Sequence, residues 1–206
     1  GSGFTSLGGL VTYGPLARTV ADAALLLDAL IGEPEWSTAP PTWDGGAYLN
    51  AAVRGEGRYQ LGVMTSSPWD DSHEIAVSPE ARAALDLATT ELHAIGRAID
   101  AVSLPPSPDY SEAFRTLWQA GASAIPVEGA GLEALEPLTR WLVERGRALD
   151  ARRLVWALQV LAGFERGVIR SLAGFDAVLT PALAHPPPPI GWFDQEDGER
   201  NFAQQV

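Results

Sequence analysis

Two short apolar strands flanking one capped helix constrain this chain more than any other feature. Tyr59-Gln60-Leu61-Gly62-Val63-Met64-Thr65 reads as a buried strand. Ser78-Pro79-Glu80 then opens a helix. Ser78 is the cap, Pro79 suits the first helical position, and Glu80 sits near the positive end of the helix dipole. Leu85, Ala88, Leu92 and Ile95 make the core face, and Gly96 stops the helix. Arg97 to Leu104 is a second strand. Strand, helix and strand in so short a stretch form a βαβ unit, whose strands are expected to run parallel.

A second block, Gly14 to Leu30, combines a turn, a cap and an apolar helix. Gly14-Pro15 breaks the preceding chain. Thr19 followed by Asp22 has capping-box spacing, with the Thr hydroxyl accepting from the Asp22 N–H and the Asp carboxylate able to reach back. Val20, Ala24, Leu27 and Ile31 repeat at helical spacing, and Gly32 stands at the expected C-cap. Arg18, just before the cap, is within reach of Asp22. A well-capped core helix accounts for every residue of this block.

The remaining elements are read in the same way. Residues 1–13, rich in Gly and Thr, form an irregular or short extended segment. Residues 33–58, with their prolines and glycines and with Trp36, Trp43 and Tyr48 interleaved, form a long surface loop with a short helix around Tyr48 to Val53. Ser107 or Asp109 caps a helix bearing Tyr110, Phe114, Leu117 and Trp118. Residues 132–146 form another helix through Leu135, Leu138 and Leu142. Asp150 opens the longest helix, which runs to about Leu172. Phe175 to Thr180 is a third strand, ended by Pro181.

Composition bounds the class of function. Apolar content of 46% and charged content of 19% are those of a globular chain. No apolar run is long enough to span a bilayer. A net charge of −12 repels phosphate backbones, which argues against nucleic acid or an anionic membrane as partner. The absence of Cys removes disulfides, thiolate zinc sites and thiol nucleophiles together, and fits a cytoplasmic protein. All 14 basic residues are Arg; there is no Lys.

The order of these blocks resembles the C-terminal portion of the amidase signature hydrolases. Gly14, Pro15, Arg18, Thr19 and Asp22 match that family's Gly-Pro-x-x-Arg-Thr-Val-x-Asp block. Leu61-Gly62-Val63 matches its Gly-Val strand, Leu92 to Gly96 the end of its Pro-Glu helix, and Asp176 to Pro181 its Asp-x-x-Leu-Thr-Pro strand. Pro186 to Pro189-Ile190-Gly191 matches the Pro-rich segment that follows. The resemblance covers roughly residues 8–191. It implies an α/β fold, helix-rich, with a mixed β-sheet flanked by helices, and residues 1–206 as part of one such domain. It implies hydrolysis of a carboxylic amide to acid and ammonia or amine, with no cofactor or metal, and leaves a homodimer open. The family's chemistry uses a Ser nucleophile, a bridging Ser with a cis peptide, and a Lys as base. This chain has no Gly-Gly-Ser-Ser-Gly stretch and no Lys. The chain is therefore expected to begin just after the catalytic segments, to stop before the last family segment, and to be inactive alone.

Candidate site residues follow from the resemblance and from position. Phe114 and Trp118 lie where relatives border the acyl pocket, against core packing as the plain alternative. Thr12, two residues before Gly14, lies where relatives place a polar residue near the active site. Thr180 ends a strand, and His185 follows one, where α/β ligand sites cluster. Ser66-Ser67 reads as a turn before Pro68. Asp70, Asp71, His73 and Glu74 read as a solvated acidic loop rather than a metal cluster. His93 reads as a surface residue. Pro186 to Pro189 reads as a connector rather than a ligand for SH3-like domains. A reading from another class is a non-catalytic α/β module that binds a partner through the aromatic loop at 33–58.

Overall fold

The computed structural model describes residues 14–31, 47–55 and 57–206. Thr12, Gly32 and most of the 33–58 loop lie outside the described residues. The chain divides into two compact units, residues 1–58 and 59–206.

In the first unit α1 spans Val20–Ile31 and α2 spans Ala47–Arg54. Thr19 caps α1 as its spacing predicts: its Oγ1 accepts from the Asp22 N–H at 3.1 Å. Arg18 and Asp22 form no ion pair. The start of α2 is capped from a distance. The Asp28 carboxylate, on α1, accepts from the N–H groups of Tyr48 at 3.3 Å and Leu49 at 2.9 Å. These are first-turn donors that no helical carbonyl can reach, and the negative charge suits the positive end of the helix. The short helix expected around Tyr48 to Val53 is α2.

The second unit holds the sheet. Its strands are β1 (Gln60–Val63), β2 (Ala98–Ala101) and β3 (Ala177–Leu179), in the order β2-β1-β3. All three are parallel, with Leu61 opposite Ile99 and Ala177. The βαβ reading is correct. α3 (Pro79–Ala94) is the crossover, with Ser78 accepting from the Ala81 N–H and Pro79 in its first turn. Gly96, at φ +79°, makes the left-handed turn from α3 into β2. Gly62 has a different reason to be glycine. A Cβ there would meet Val102, Val178 and Phe175 at 3.0–3.3 Å, so neighbouring side chains already fill its face of β1.

Gln60, the first residue of β1, ties that strand to both of its neighbours. Its backbone N–H donates to the Asp176 carboxylate at 2.8 Å, and its carbonyl accepts from the Asp176 N–H at 2.8 Å. Its side-chain amide donates to Asp100 at 2.6 Å. Asp176, the first residue of the block matched above, thus sets where β3 begins.

The helical layer comprises α4 (Tyr110–Ala122), α5 (Ala130–Glu133), α6 (Pro137–Arg147), α7 (Ala151–Leu172) and α8 (Gly198–Gln204). α4 packs against both α6 and α7, and α8 packs against α6. The core at these crossings is Ala113 and Leu117 of α4, Leu142 and Val143 of α6, and Ala157 of α7. Small residues let the backbones approach: a Cβ on Gly146 would overlap the Gln119 carbonyl. Asp150 caps α7 by accepting from the Arg153 N–H at 2.8 Å.

Two sequence expectations are corrected. The single helix over 132–146 is two, α5 and α6, because Pro137 has no N–H to continue a helix and forces its predecessor out of helical geometry. Glu136 accordingly has ψ 145°, and Pro137 opens α6. Neither Ser107 nor Asp109 caps α4 through its side chain; instead the Ser107 carbonyl accepts from the Tyr110 N–H at 2.9 Å. Among the described residues no helix is long and apolar enough to cross a membrane.

Candidate functional site

The C-terminal ends of the three parallel strands release three loops toward one edge of the sheet. In open parallel sheets that edge is where ligands bind. Residues 64–77 leave β1, residues 102–109 leave β2, and residues 180–186 leave β3. Hydrogen bonds tie the three loops together. Ser66 Oγ accepts from the Leu104 N–H at 3.3 Å, and the Asp71 carboxylate accepts from the Ser107 N–H at 2.6 Å. The Ala184 carbonyl accepts from the Ser78 N–H at 2.7 Å.

Ser66 and Ser67 are turn residues, as their context implies. Ser67 Oγ accepts from the Trp69 N–H at 3.2 Å, and the Asp70 carboxylate accepts from the Ser67 N–H at 2.8 Å. His73 pairs through Nδ1 with the Ser72 hydroxyl at 2.9 Å. The acidic residues of this loop that bond here, Asp70 and Asp71, thus hold backbone N–H groups.

An aromatic cluster forms where the first loop meets α4. Trp69 makes edge contacts with Tyr110 at 5.5 Å, Phe114 at 5.1 Å and His73 at 5.6 Å between ring centroids. Phe114 stacks on Trp118 at 5.3 Å. Tyr110 also meets Phe164 of α7 at 4.8 Å, and burial pushes its phenol pKa up, so it stays neutral well into alkaline pH. Trp118 is 42% exposed, which leaves an aromatic face for solvent or for a ligand. Phe114 and Trp118 are thus brought together as their spacing predicts. Trp69, at the centre of the cluster, was missed in the sequence. Its only signal was a Trp directly after the Ser-Ser-Pro turn that follows a strand.

Thr180 and His185 lie elsewhere. Thr180 is exposed, donates to the Pro181 carbonyl at 3.1 Å, and lines a groove of about 280 Å³ between the end of β3 and α3. Ala81, Leu85, Ala88 and Leu183 make that groove mostly apolar. His185 is exposed, and its Nδ1 lies 2.8 Å from the Pro186 carbonyl. No hydrogen bond or ring contact among the described residues joins either of them to the Phe114–Trp118 pair. Among the same residues, no cluster of His, Asp and Glu has the geometry to hold a metal ion.

Comparison with known proteins places this architecture. The family profile described as Amidase matches residues 8–205. A curated protein of Synechocystis sp., named "Putative amidase", is 28% identical over 188 residues, which are 89% of this chain and 34% of that protein. A structure of 6-aminohexanoate cyclic dimer hydrolase complexed with substrate shares the fold at a TM-score of 0.68 and 23% identity, over 85% of this chain and 38% of its own. A crystal structure of an amidase superposes at a TM-score of 0.62 with 26% identity, over 86% of this chain and 36% of its own. The chain thus spans about a third of the length of these relatives. Because the profile match runs almost from end to end through both units, the chain belongs to the Amidase family.

Proposed function

We propose that residues 1–206 are the supporting, substrate-side portion of an amidase domain that hydrolyses a carboxylic amide to acid and ammonia or amine through a Ser acyl-enzyme. The reactive Ser pair and the Lys base are assigned to sequence outside this chain. The observation that carries this reading is the family match over residues 8–205 in a chain with no Lys at all. An acyl transfer to Ser needs a base within hydrogen-bond reach, and a desolvated Lys is the family's base. The exposed ring of Trp118 beside Phe114 supplies an apolar wall for the acyl or aryl part of the substrate. Thr12, Thr180 and His185 are proposed as further substrate-binding residues on the family resemblance and their place in the sequence alone, with a cytoplasmic protein and a small-molecule amide as the setting.

The test compares two polypeptides on a panel of aliphatic and aryl primary amides. The 206-residue chain is expected to release no ammonia, and the same chain extended N-terminally by its own coding sequence is expected to release it. In the extended protein, Trp118→Ala should raise KM for aryl amides about tenfold while leaving kcat nearly unchanged, the sign of lost uniform binding. Turnover by the 206-residue chain alone would sink the assignment of the reactive groups.

A further inference from the structure

α4 carries two chemically opposite faces. Tyr110, Phe114 and Trp118 form one; Glu112, Arg115, Thr116 and Gln119, on the other side of the same helix, line a separate cleft of about 320 Å³. α6, the start of α7 and α8 close this cleft, contributing Arg145, Arg153 and Glu199. Three guanidiniums thus meet two carboxylates there, in a chain whose overall charge is −12.

Two of the guanidiniums are already neutralised. Arg115 pairs with Glu199 at 3.2 Å, and Arg153 pairs with Glu112. Arg153 also lies over the Trp156 ring at 3.9 Å, which fixes its plane. Arg145 is different. It forms no ion pair among the described residues, and its guanidinium is carried over the Trp141 ring at 6.0 Å from the centroid. Its planar fork of donors remains available on the side away from the ring. The cleft also contains Thr116, 4% exposed, and Gln119, 8% exposed. The Thr116 hydroxyl donates to the Glu112 carbonyl at 2.8 Å, whereas the Gln119 carboxamide has no hydrogen-bond partner among the described residues. Among the described residues no buried side-chain polar atom lacks a partner, so the Gln119 carboxamide is reached by solvent and is open to a ligand group in the cleft.

We propose that this cleft binds a small monocarboxylate bearing a second hydrogen-bonding group. The carboxylate pairs bidentately with Arg145, and the second group meets the Gln119 carboxamide. One surplus positive charge suits a monoanion. A phosphate dianion would face the Glu112 and Glu199 carboxylates without enough positive charge to offset them. The site is distinct from the Phe114–Trp118 wall because the two occupy opposite faces of α4.

N-acetylglycinate, a carboxylate with one amide, is the probe. The 206-residue chain is titrated with it while the indole N–H of Trp141 is followed by NMR, with sodium chloride at matched ionic strength as blank. A saturable shift is expected with the probe and none with chloride. Arg145→Met should weaken binding about tenfold or more, and Gln119→Met less, whereas Arg152→Met, which removes the same charge from an exposed position of α7 outside the cleft, should leave it within about twofold. The proposal is overturned by no saturable shift up to about 50 mM probe. It is overturned equally if R152M weakens binding as much as R145M, or if inorganic phosphate binds more tightly than the carboxylate.

Discussion

The helix with the richest apolar sequence, α1, has no fully buried residue, whereas α4, with charges and amides along one face, holds the centre of a core. α1 reads VADAALLLDALI, yet none of its residues is buried, and Val20 and Leu30 are 76% and 61% exposed. α4 buries Ala113, Thr116, Leu117 and Gln119 between α6 and α7. Apolar content drives burial only where a partner surface arrives to exclude water, and each α4 crossing has one, set by a small residue that lets the backbones close. α1 has the cap and the periodicity of a core helix. Within its own unit it gains one described polar tie, from Asp28 to the start of α2.

Substitutions can break or sharpen this contrast. The largest effect is expected for Leu117→Ala: Leu117 is 1% exposed at the α4 crossing, and its truncation should cost about 3 kcal/mol in urea denaturation through the cavity left behind. Gly146→Ala should cost about 2 kcal/mol, because the added methyl meets the Gln119 carbonyl of α4 and the helices must move apart. Both changes test whether α4 is the organising element.

A pH-dependent effect comes next. Asp194 accepts from the N–H groups of Asp197 and Glu196, and Arg200 lies 3.6 Å away, so its carboxyl is held below the usual carboxylate range. A depressed folded-state pKa contributes stability above the unfolded value, and that contribution is lost as pH falls through the folded one. Asp194→Asn should therefore lower the melting temperature at pH 7, and the gap to the parent should close as pH drops below the ordinary Asp range. A gap that persists in strong acid would mean that the Asn change acts through packing instead.

Leu25→Ala in α1 is expected to have the smallest effect, within about 0.5 kcal/mol by hydrogen exchange of the α1 amides, since Leu25 is 53% exposed and Ala favours helix. A cost near that of Leu117→Ala would show that α1 is covered in solution, and would move it from the exposed side of the comparison to the core side.

Local chemistry was legible in the sequence. The Thr19, Ser78 and Asp150 caps, the stop at Gly96 and the parallel strands joined through α3 all depend on residues a few positions apart. The break at Pro137 was equally local and was passed over because Leu135, Leu138 and Leu142 kept a helical rhythm across it. Long-range pairings were not legible. Arg115 meets Glu199 across 84 residues, and Trp69 meets Tyr110 and Phe114 of α4 beside a second loop that Asp71 and Ser66 tie to the first. Neither pairing leaves a period or a spacing in the chain. Phe114 and Trp118 were found because they share one helix; Thr180 and His185 were singled out by strand position, which brings a residue to the right edge of a sheet without saying which neighbour it meets.

Gln60 makes the sheet behave as a lever. It grips β3 just ahead of its first residue and β2 at Asp100, while the loop that leaves β1 departs from the other end of that strand, about 10 Å away. A small tilt introduced at the gripped end would therefore be passed to all three loops at once. Damage at this amide, remote from any reacting atom, would surface as a misaligned pocket rather than as an unfolded chain.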